Sequence, residues 1–169
     1  VSTEVIDIIK NIPNHNDDGI RFDSVSARQV TGILVTGTAS HPVIYVSSSD
    51  PRIGGGGDQN DINLDTNSGI VSRLTWNGKE WEKVDLVRGL PRSEENHSVN
   101  GMQLDPLTNT LYLAIGGNTN AGAPSNKFAY LNEYALSAAI LKIDLNKINA
   151  MPVRGDIENK YVYDIPTLN

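Results

Sequence analysis

Four short segments of alternating apolar and polar residues occur in the same order twice along this chain. VTGILV (30–35) parallels VNGMQL (99–104), and VIYVSSSD (43–50) parallels TLYLAIGG (110–117), which sets Gly32 against Gly101 and Tyr45 against Tyr112. GIVSRLTWNG (69–78) parallels AAILKIDLNK (138–147), EWEKVDLVRGLP (80–91) closes the first copy, and KYVYDIPTL (160–168) closes the second. The closing segment recurs once more as STEVIDIIKNIP (2–13), with Asp7 matching Asp85 and Pro13 matching Pro91. An ordered internal repeat of this length is the mark of a repeat architecture. Period-2 runs rich in Val, Ile, Leu and Tyr, four to a copy and joined by polar turns, are what a four-stranded antiparallel propeller blade requires.

The expected fold class is therefore all-β: a β-propeller fragment of about two four-stranded antiparallel blades plus a leading strand over residues 3–9. The first blade has its strands within 30–88 and the second within 101–166. Residues 1–29 (outer strand of a preceding blade and interblade loop), 30–100 and 101–169 together form one partial propeller. A closed propeller typically has four to eight blades, so the expected partners are other blades of the same parent chain; assembly of several chains into one ring is the other route. A single open sheet or a sandwich uses the same strands but gives no reason for the ordered repeat. PLTN (106–109) reads as the turn of a hairpin between GMQLD and TLYLAI, because Pro fixes φ and Asn tolerates positive φ. One helical turn is expected near 145–149, after a strand that ends at Asp144.

Composition narrows the partners. The net charge of −6, with no Lys/Arg cluster, argues against nucleic acid or an anionic membrane surface, both of which need a basic footprint. No apolar run is long enough for membrane insertion, and the absence of Cys removes thiolate chemistry and Cys-based metal sites. Val1 opens directly into an alternating segment with no initiator Met, so the chain reads as a piece of something longer.

In a meander the turns alternate between the two ends of the sheet, so four long loops are expected to crowd one face: 11–29, 49–68, 89–100 and 116–137. Loops of this length on a rigid scaffold are where binding and catalysis sit. His15 and His97 occupy matching loops, each preceded by Asn (Asn14, Asn96). His97 is the candidate general base or ligand contact, set against the reading of a His that merely bonds its own turn. Arg92 is the candidate catalytic-site cation in the same loop, although it and Glu94, Glu95 and Asn96 would also suit a hydrated loop.

The densest oxygen-ligand cluster is Asp58, Asn60, Asp61, Asn63, Asp65 and Asn67. Alternation of short oxygen-bearing side chains turns several of them inward on a hard cation, so Asp58, Asp61, Asn63, Asp65 and Asn67 are the candidate Ca²⁺ ligands. An EF-hand proper is excluded, since Thr66 stands where the tight-turn Gly belongs and Ser72 where the bidentate Glu belongs. GGGG (54–57) lacks the Lys and the helix start that a phosphate cradle requires, which excludes nucleotide binding.

HSVNGMQLDPLTNTLYLAIGGN (97–118) resembles a segment of the soluble quinoprotein glucose/sorbosone dehydrogenase family. There a His, a Gly and an apolar inner strand precede a turn and an L-Y-V-like strand ending in Gly-Asp. The resemblance implies a six-bladed parent that binds pyrroloquinoline quinone and calcium on its loop face. It also implies that His97 accepts the substrate hydroxyl proton as hydride passes to the quinone, with Arg92 against the acidic cofactor. Asn100 is an extra residue relative to the usual H-x-x-G spacing, and Gly117-Asn118 replaces Gly-Asp. The whole chain is also similar to propeller regions of large bacterial extracellular proteins, in which segments like DPRIGGGG, LPRSEENH and GGNTNAGAPSN recur beside adhesion or carbohydrate-binding modules.

Two functions of different class are expected from this. One is a non-catalytic binding or scaffolding propeller module of a secreted or cell-surface protein, whose Asn/Asp-rich loop face takes calcium and a glycan. The other is a pyrroloquinoline-quinone-dependent sugar or alcohol dehydrogenase with His97 as base.

Overall fold

The computed structural model describes residues 3, 5, 14–15, 20–22, 24–25, 27–53, 64–94, 96–128, 130–155 and 159–166. The leading strand expected over 3–9 lies outside the described residues, apart from isolated positions. A two-residue hairpin, β1 (Asn14–His15) against β2 (Arg21–Phe22), precedes the first repeat. That repeat folds as an antiparallel meander of β3 (Gln29–Gly37), β4 (Pro42–Ser49), β5 (Gly69–Trp76) and β6 (Trp81–Leu90). The β5–β6 turn follows from local chemistry: Asn77 Oδ1 accepts from the Lys79 and Glu80 N–H groups at 2.9 Å each, and Gly78 supplies the positive φ of 97°.

The second repeat gives β7 (Val99–Asp105), β8 (Thr110–Ile115) and β9 (Ile140–Asp144), again antiparallel in that order. The expected 106–109 turn is present, with Asn109 at φ 53°. The expected helical turn is α1 (Leu145–Ala150), capped by the Asp144 carboxylate accepting from the Lys147 N–H at 3.0 Å. The chain is thus all-β, with one short α-helix and one 3-10 turn (Asn126–Phe128) among the described residues, and the first copy has its four strands in the expected order.

The second copy is corrected at its closing strand. After β10 (Arg154–Gly155), β11 (Lys160–Asp164) does not join β9; it lies parallel to β6, so that the six-stranded sheet runs β10-β11-β6-β5-β4-β3. The physical reason lies in the link. In the first copy a four-residue turn (77–80) returns the chain onto β5, whereas α1 carries the chain away from β9 before it can fold back. On β6 the strand gains an Arg88–Asp164 ion pair at 3.1 Å, Arg88 stacked 4.2 Å from the Tyr161 ring centre, and an Ile165 N–H bond to the Arg88 carbonyl at 3.0 Å.

The two meanders pack through one core built from Tyr45, Val71, Leu86, Val87 and Leu90 on the first and Val99, Leu111, Leu113, Ile143 and Leu145 on the second. Each fully buried leucine contributes roughly 1.5–3 kcal/mol relative to exposure. Polar contacts fix the approach at one end: Ser47 Oγ donates to the Asn100 carbonyl at 2.8 Å, Thr31 Oγ1 donates to the Val99 carbonyl, and Ser49 Oγ donates to Ser98 Oγ at 3.1 Å. The packing is head-to-tail. Tyr45 pairs with Arg73 across β4–β5, and its repeat counterpart Tyr112 pairs with Lys142 across β8–β9. The Tyr45 face is turned onto the second meander, while the Tyr112 face, with Gly101 and the exposed Ile140, points away from the first.

Candidate functional site

The loops after β4, β6 and β8 meet at one end of the two meanders, as the alternation of turns requires. Arg92 of the β6–β7 loop donates its backbone N–H to the Thr66 carbonyl at 2.8 Å and a guanidinium N–H to the Arg52 carbonyl. Ser93 Oγ donates to the Gly117 carbonyl at 2.9 Å, joining the β6–β7 loop to the β8–β9 loop.

His97 sits where these loops touch. The segment 93–97 closes on itself through Ser93 N–H to the His97 carbonyl at 2.9 Å and His97 N–H to the Glu94 carbonyl at 3.1 Å. The imidazole lies against Phe128, ring centres 4.7 Å apart and tilted by 43°, with Nδ1 3.1 Å from the Gly117 carbonyl oxygen. A carbonyl can only accept, so Nδ1 carries the proton in that bond. In the neutral ring this leaves the Nε2 lone pair uncommitted, which is the form a proton acceptor or a ligand contact needs. Gly116 makes the close approach possible: a Cβ there would fall 2.7 Å from His97 Cα and 2.8 Å from its carbonyl carbon.

Arg92, expected as a ligand-facing cation, is wholly buried beneath Arg52. Arg52 in turn is committed to Asp50, whose carboxylate accepts Nε at 2.9 Å, a terminal guanidinium N–H at 2.6 Å and the Arg52 backbone N–H at 2.8 Å; Asp50 has no exposed surface. Arg28 completes the cluster from below, donating to the Ser48 and Ser68 carbonyls. Burial pulls its pKa down to about 10 against the opposing pull of Asp65, Asp50 and Asp85. These charges join loop to sheet. As placed, they do not fit a tricarboxylate quinone, because neither Arg92 nor Arg52 directs its guanidinium outward.

Of the candidate calcium ligands, Asp58, Asp61 and Asn63 lie outside the described residues. Asp65 Oδ1 accepts the Asn67 backbone N–H at 3.1 Å, a local turn in the loop that leads into β5. Among the described residues, no three His, Asp or Glu side chains lie close enough together to share a metal ion.

No family model, curated protein or solved structure matches this chain. The reading of the site accordingly rests on its own residues.

Sequence reasoning missed Glu133, which organises the β8–β9 loop. It accepts from the Asn118 N–H at 2.9 Å, Thr119 Oγ1 at 2.6 Å and Ser137 Oγ, while the Asn118 side chain donates to the Asn132 carbonyl at 3.1 Å. Nothing marks a lone Glu among polar loop residues as an anchor; only the fold brings its three donors round it. Desolvation acts to raise its pKa, but the bonds from Asn118, Ser137 and Thr119 outweigh it and hold the carboxyl below the usual range. The anchoring is therefore complete above the ordinary carboxylate pKa and is lost as pH falls through the lowered value. Acidification is expected to lower the protection factor of the Asn118 amide, the intrinsic exchange rate divided by the rate observed at the same pH, well before the core opens. Glu133→Gln is expected to do so at neutral pH, at a cost of about 1 kcal/mol. NMR amide exchange against pH, corrected for the intrinsic rate, checks both; an Asn118 protection factor that does not change with pH would refute the anchor.

Proposed function

We propose that this chain is a non-catalytic binding and scaffolding module, two propeller-type blades of a secreted or cell-surface protein, whose loop face takes a neutral polar ligand such as a glycan with the help of calcium. The head-to-tail packing supports the blade reading, since each meander offers its neighbour the same face in turn and the arrangement can be continued. The observation that carries the binding reading is the complete burial of Arg92 and Asp50. With those charges consumed inside, the described loop face offers amides, hydroxyls and the exposed ring of Tyr130, groups that recognise sugars, beside the exposed Lys127 and Glu133. Asp58, Asp61, Asn63, Asp65 and Asn67 would supply the oxygen ligands for Ca²⁺ and order the loop after β4.

The uncommitted Nε2 of His97 favours a second reading, a pyrroloquinoline-quinone-dependent dehydrogenase with His97 as base. In that reading a quinone would supply the hydride acceptor, its carboxylates met by other blades because Arg92 and Arg52 are turned inward, and His97, its ring held by Nδ1, would offer Nε2 to the substrate proton.

Calorimetric titration of chelator-stripped protein with Ca²⁺ separates the two. A site with a Kd of about 0.1–1 mM is expected, lost in Asp61→Ala, followed by calcium-dependent uptake of neutral oligosaccharides that His97→Ala leaves intact. Quinone uptake with sugar-dependent dye reduction that disappears in His97→Ala would replace the binding reading with the enzymatic one.

A further inference from the structure

We propose that Asn77 is a self-modifying site: the Gly78 backbone nitrogen attacks the Asn77 side-chain amide, ammonia leaves, and water opens the resulting imide to an aspartate or isoaspartate at position 77. The site is the β5–β6 turn, at the end of the meander opposite the loop face, so the inference does not rest on the ligand reading.

Two Asn-Gly pairs occur in the chain, Asn77-Gly78 and Asn100-Gly101. Glycine after asparagine leaves the attacking nitrogen without a neighbouring Cβ to obstruct it, so by sequence the two pairs are equally disposed to react. The fold separates them.

At the first pair, Asn77 Oδ1 accepts the Lys79 and Glu80 N–H groups at 2.9 Å each. The bond to Lys79, two residues on, closes an Asx turn, which curls the side-chain amide carbon back toward the Gly78 nitrogen enclosed in that ring. No acceptor among the described residues takes the Gly78 N–H. Gly78 is also exposed, and a Cβ added to it would meet nothing within 4 Å, so solvent base reaches its amide. As the nitrogen adds to the amide carbon, negative charge develops on Oδ1. Two backbone donors already aimed at that atom are the arrangement that stabilises such an oxyanion.

Asn100 is held differently. Its side-chain Nδ2 donates back to the Ser98 carbonyl at 3.1 Å, and its backbone carbonyl accepts Ser47 Oγ at 2.8 Å. That carbonyl belongs to the same rigid peptide unit as the Gly101 nitrogen, which therefore cannot turn toward the Asn100 side chain without parting β7 from β4.

The reaction balances without a redox partner. Hydroxide takes the Gly78 amide proton, the N–Cγ bond forms, and the Cγ–Nδ2 bond breaks as Nδ2 leaves as ammonia with a proton from water. Water then adds to either imide carbonyl carbon, so one water is consumed for each ammonia released. A carboxylate now stands where Nδ2 donated to Glu82 Oε1 at 2.7 Å, and like charges face each other. In the isoaspartyl product the main chain also runs through one more carbon, which displaces the turn that brings the Trp76 and Trp81 ring centres to 5.7 Å.

Incubation of the full chain in mildly alkaline buffer, with peptide mapping by mass spectrometry at intervals and assay of released ammonia, tests this. Asn77 is expected to convert at least about tenfold faster than Asn100 in the folded chain. In urea, where the turn and the Ser47 contact are both lost, the two pairs should react at one common rate, slower than that of folded Asn77. A shift in tryptophan emission should accompany conversion. Asn77→Gln, an exposed change that moves the amide one carbon further from the Gly78 nitrogen, is expected to abolish the fast phase of ammonia release. Equal rates at the two pairs in the folded chain, faster conversion of Asn77 in urea, or a fast phase that survives Asn77→Gln would each overturn the proposal.

Discussion

Gly32→Ala is expected to lower the free energy of unfolding by about 3 kcal/mol, whereas the same change at its repeat counterpart Gly101 shifts it by no more than about 0.5 kcal/mol. A Cβ on Gly32 collides with the Asn100 carbonyl oxygen and lies 2.6 Å from Ser47 Oγ and 3.0 Å from the Asn100 carbonyl carbon. The serine can rotate, but the Asn100 backbone cannot retreat without parting β3 and β4 from β7, because Ser47 Oγ and Thr31 Oγ1 both bond to that stretch. Gly101 meets nothing within 4 Å of the same added carbon. The two glycines occupy matching positions in sequence and opposite situations in space, since one faces a packed neighbour and the other faces outward. Urea unfolding of the two variants measures the difference directly; equal effects would mean that the meanders do not pack head-to-tail.

Asp50→Ala is expected to cost about 3–5 kcal/mol, the range for breaking a buried ion pair by removing one partner. The carboxylate it removes holds Arg52 through Nε and a terminal guanidinium N–H at 2.9 and 2.6 Å, and both residues are shielded from water. Arg92 rests on the Arg52 carbonyl, so the loss propagates to the loop that carries His97. The double change Asp50→Ala with Arg52→Met is expected to recover part of the loss, because it removes the stranded cation along with its partner. Urea denaturation with an unchanged m-value checks the size. A cost under about 1 kcal/mol for Asp50→Ala would show that water reaches the pair.

Much of the fold was legible because strand propensity and period-2 alternation are local signals. The hairpin at 106–109, the four strands of the first meander and the helical turn after Asp144 all follow from residues adjacent in sequence. The closing strand of the second copy was not legible. KYVYDIPTL reads as a strand wherever it goes, and its partner is chosen by α1, which carries the chain away from β9, and by the Arg88, Asp164 and Tyr161 contacts on β6. The site shows the same division. His97 could be singled out as a histidine in a loop flanked by strands, but its proton on Nδ1 depends on a carbonyl twenty residues away.

What the sequence determined by itself was the class of fold, the double repeat, and three of the four loops expected to share one end, since alternation and turn chemistry act over a few residues. Tertiary structure alone decided that Arg92 is internal, that Glu133 is an anchor, and that Gly32 is crowded while Gly101 is not. Each of these depends on which distant backbone arrives beside the residue, and a side chain's burial and hydrogen-bond partners are set by that arrival rather than by its own chemistry.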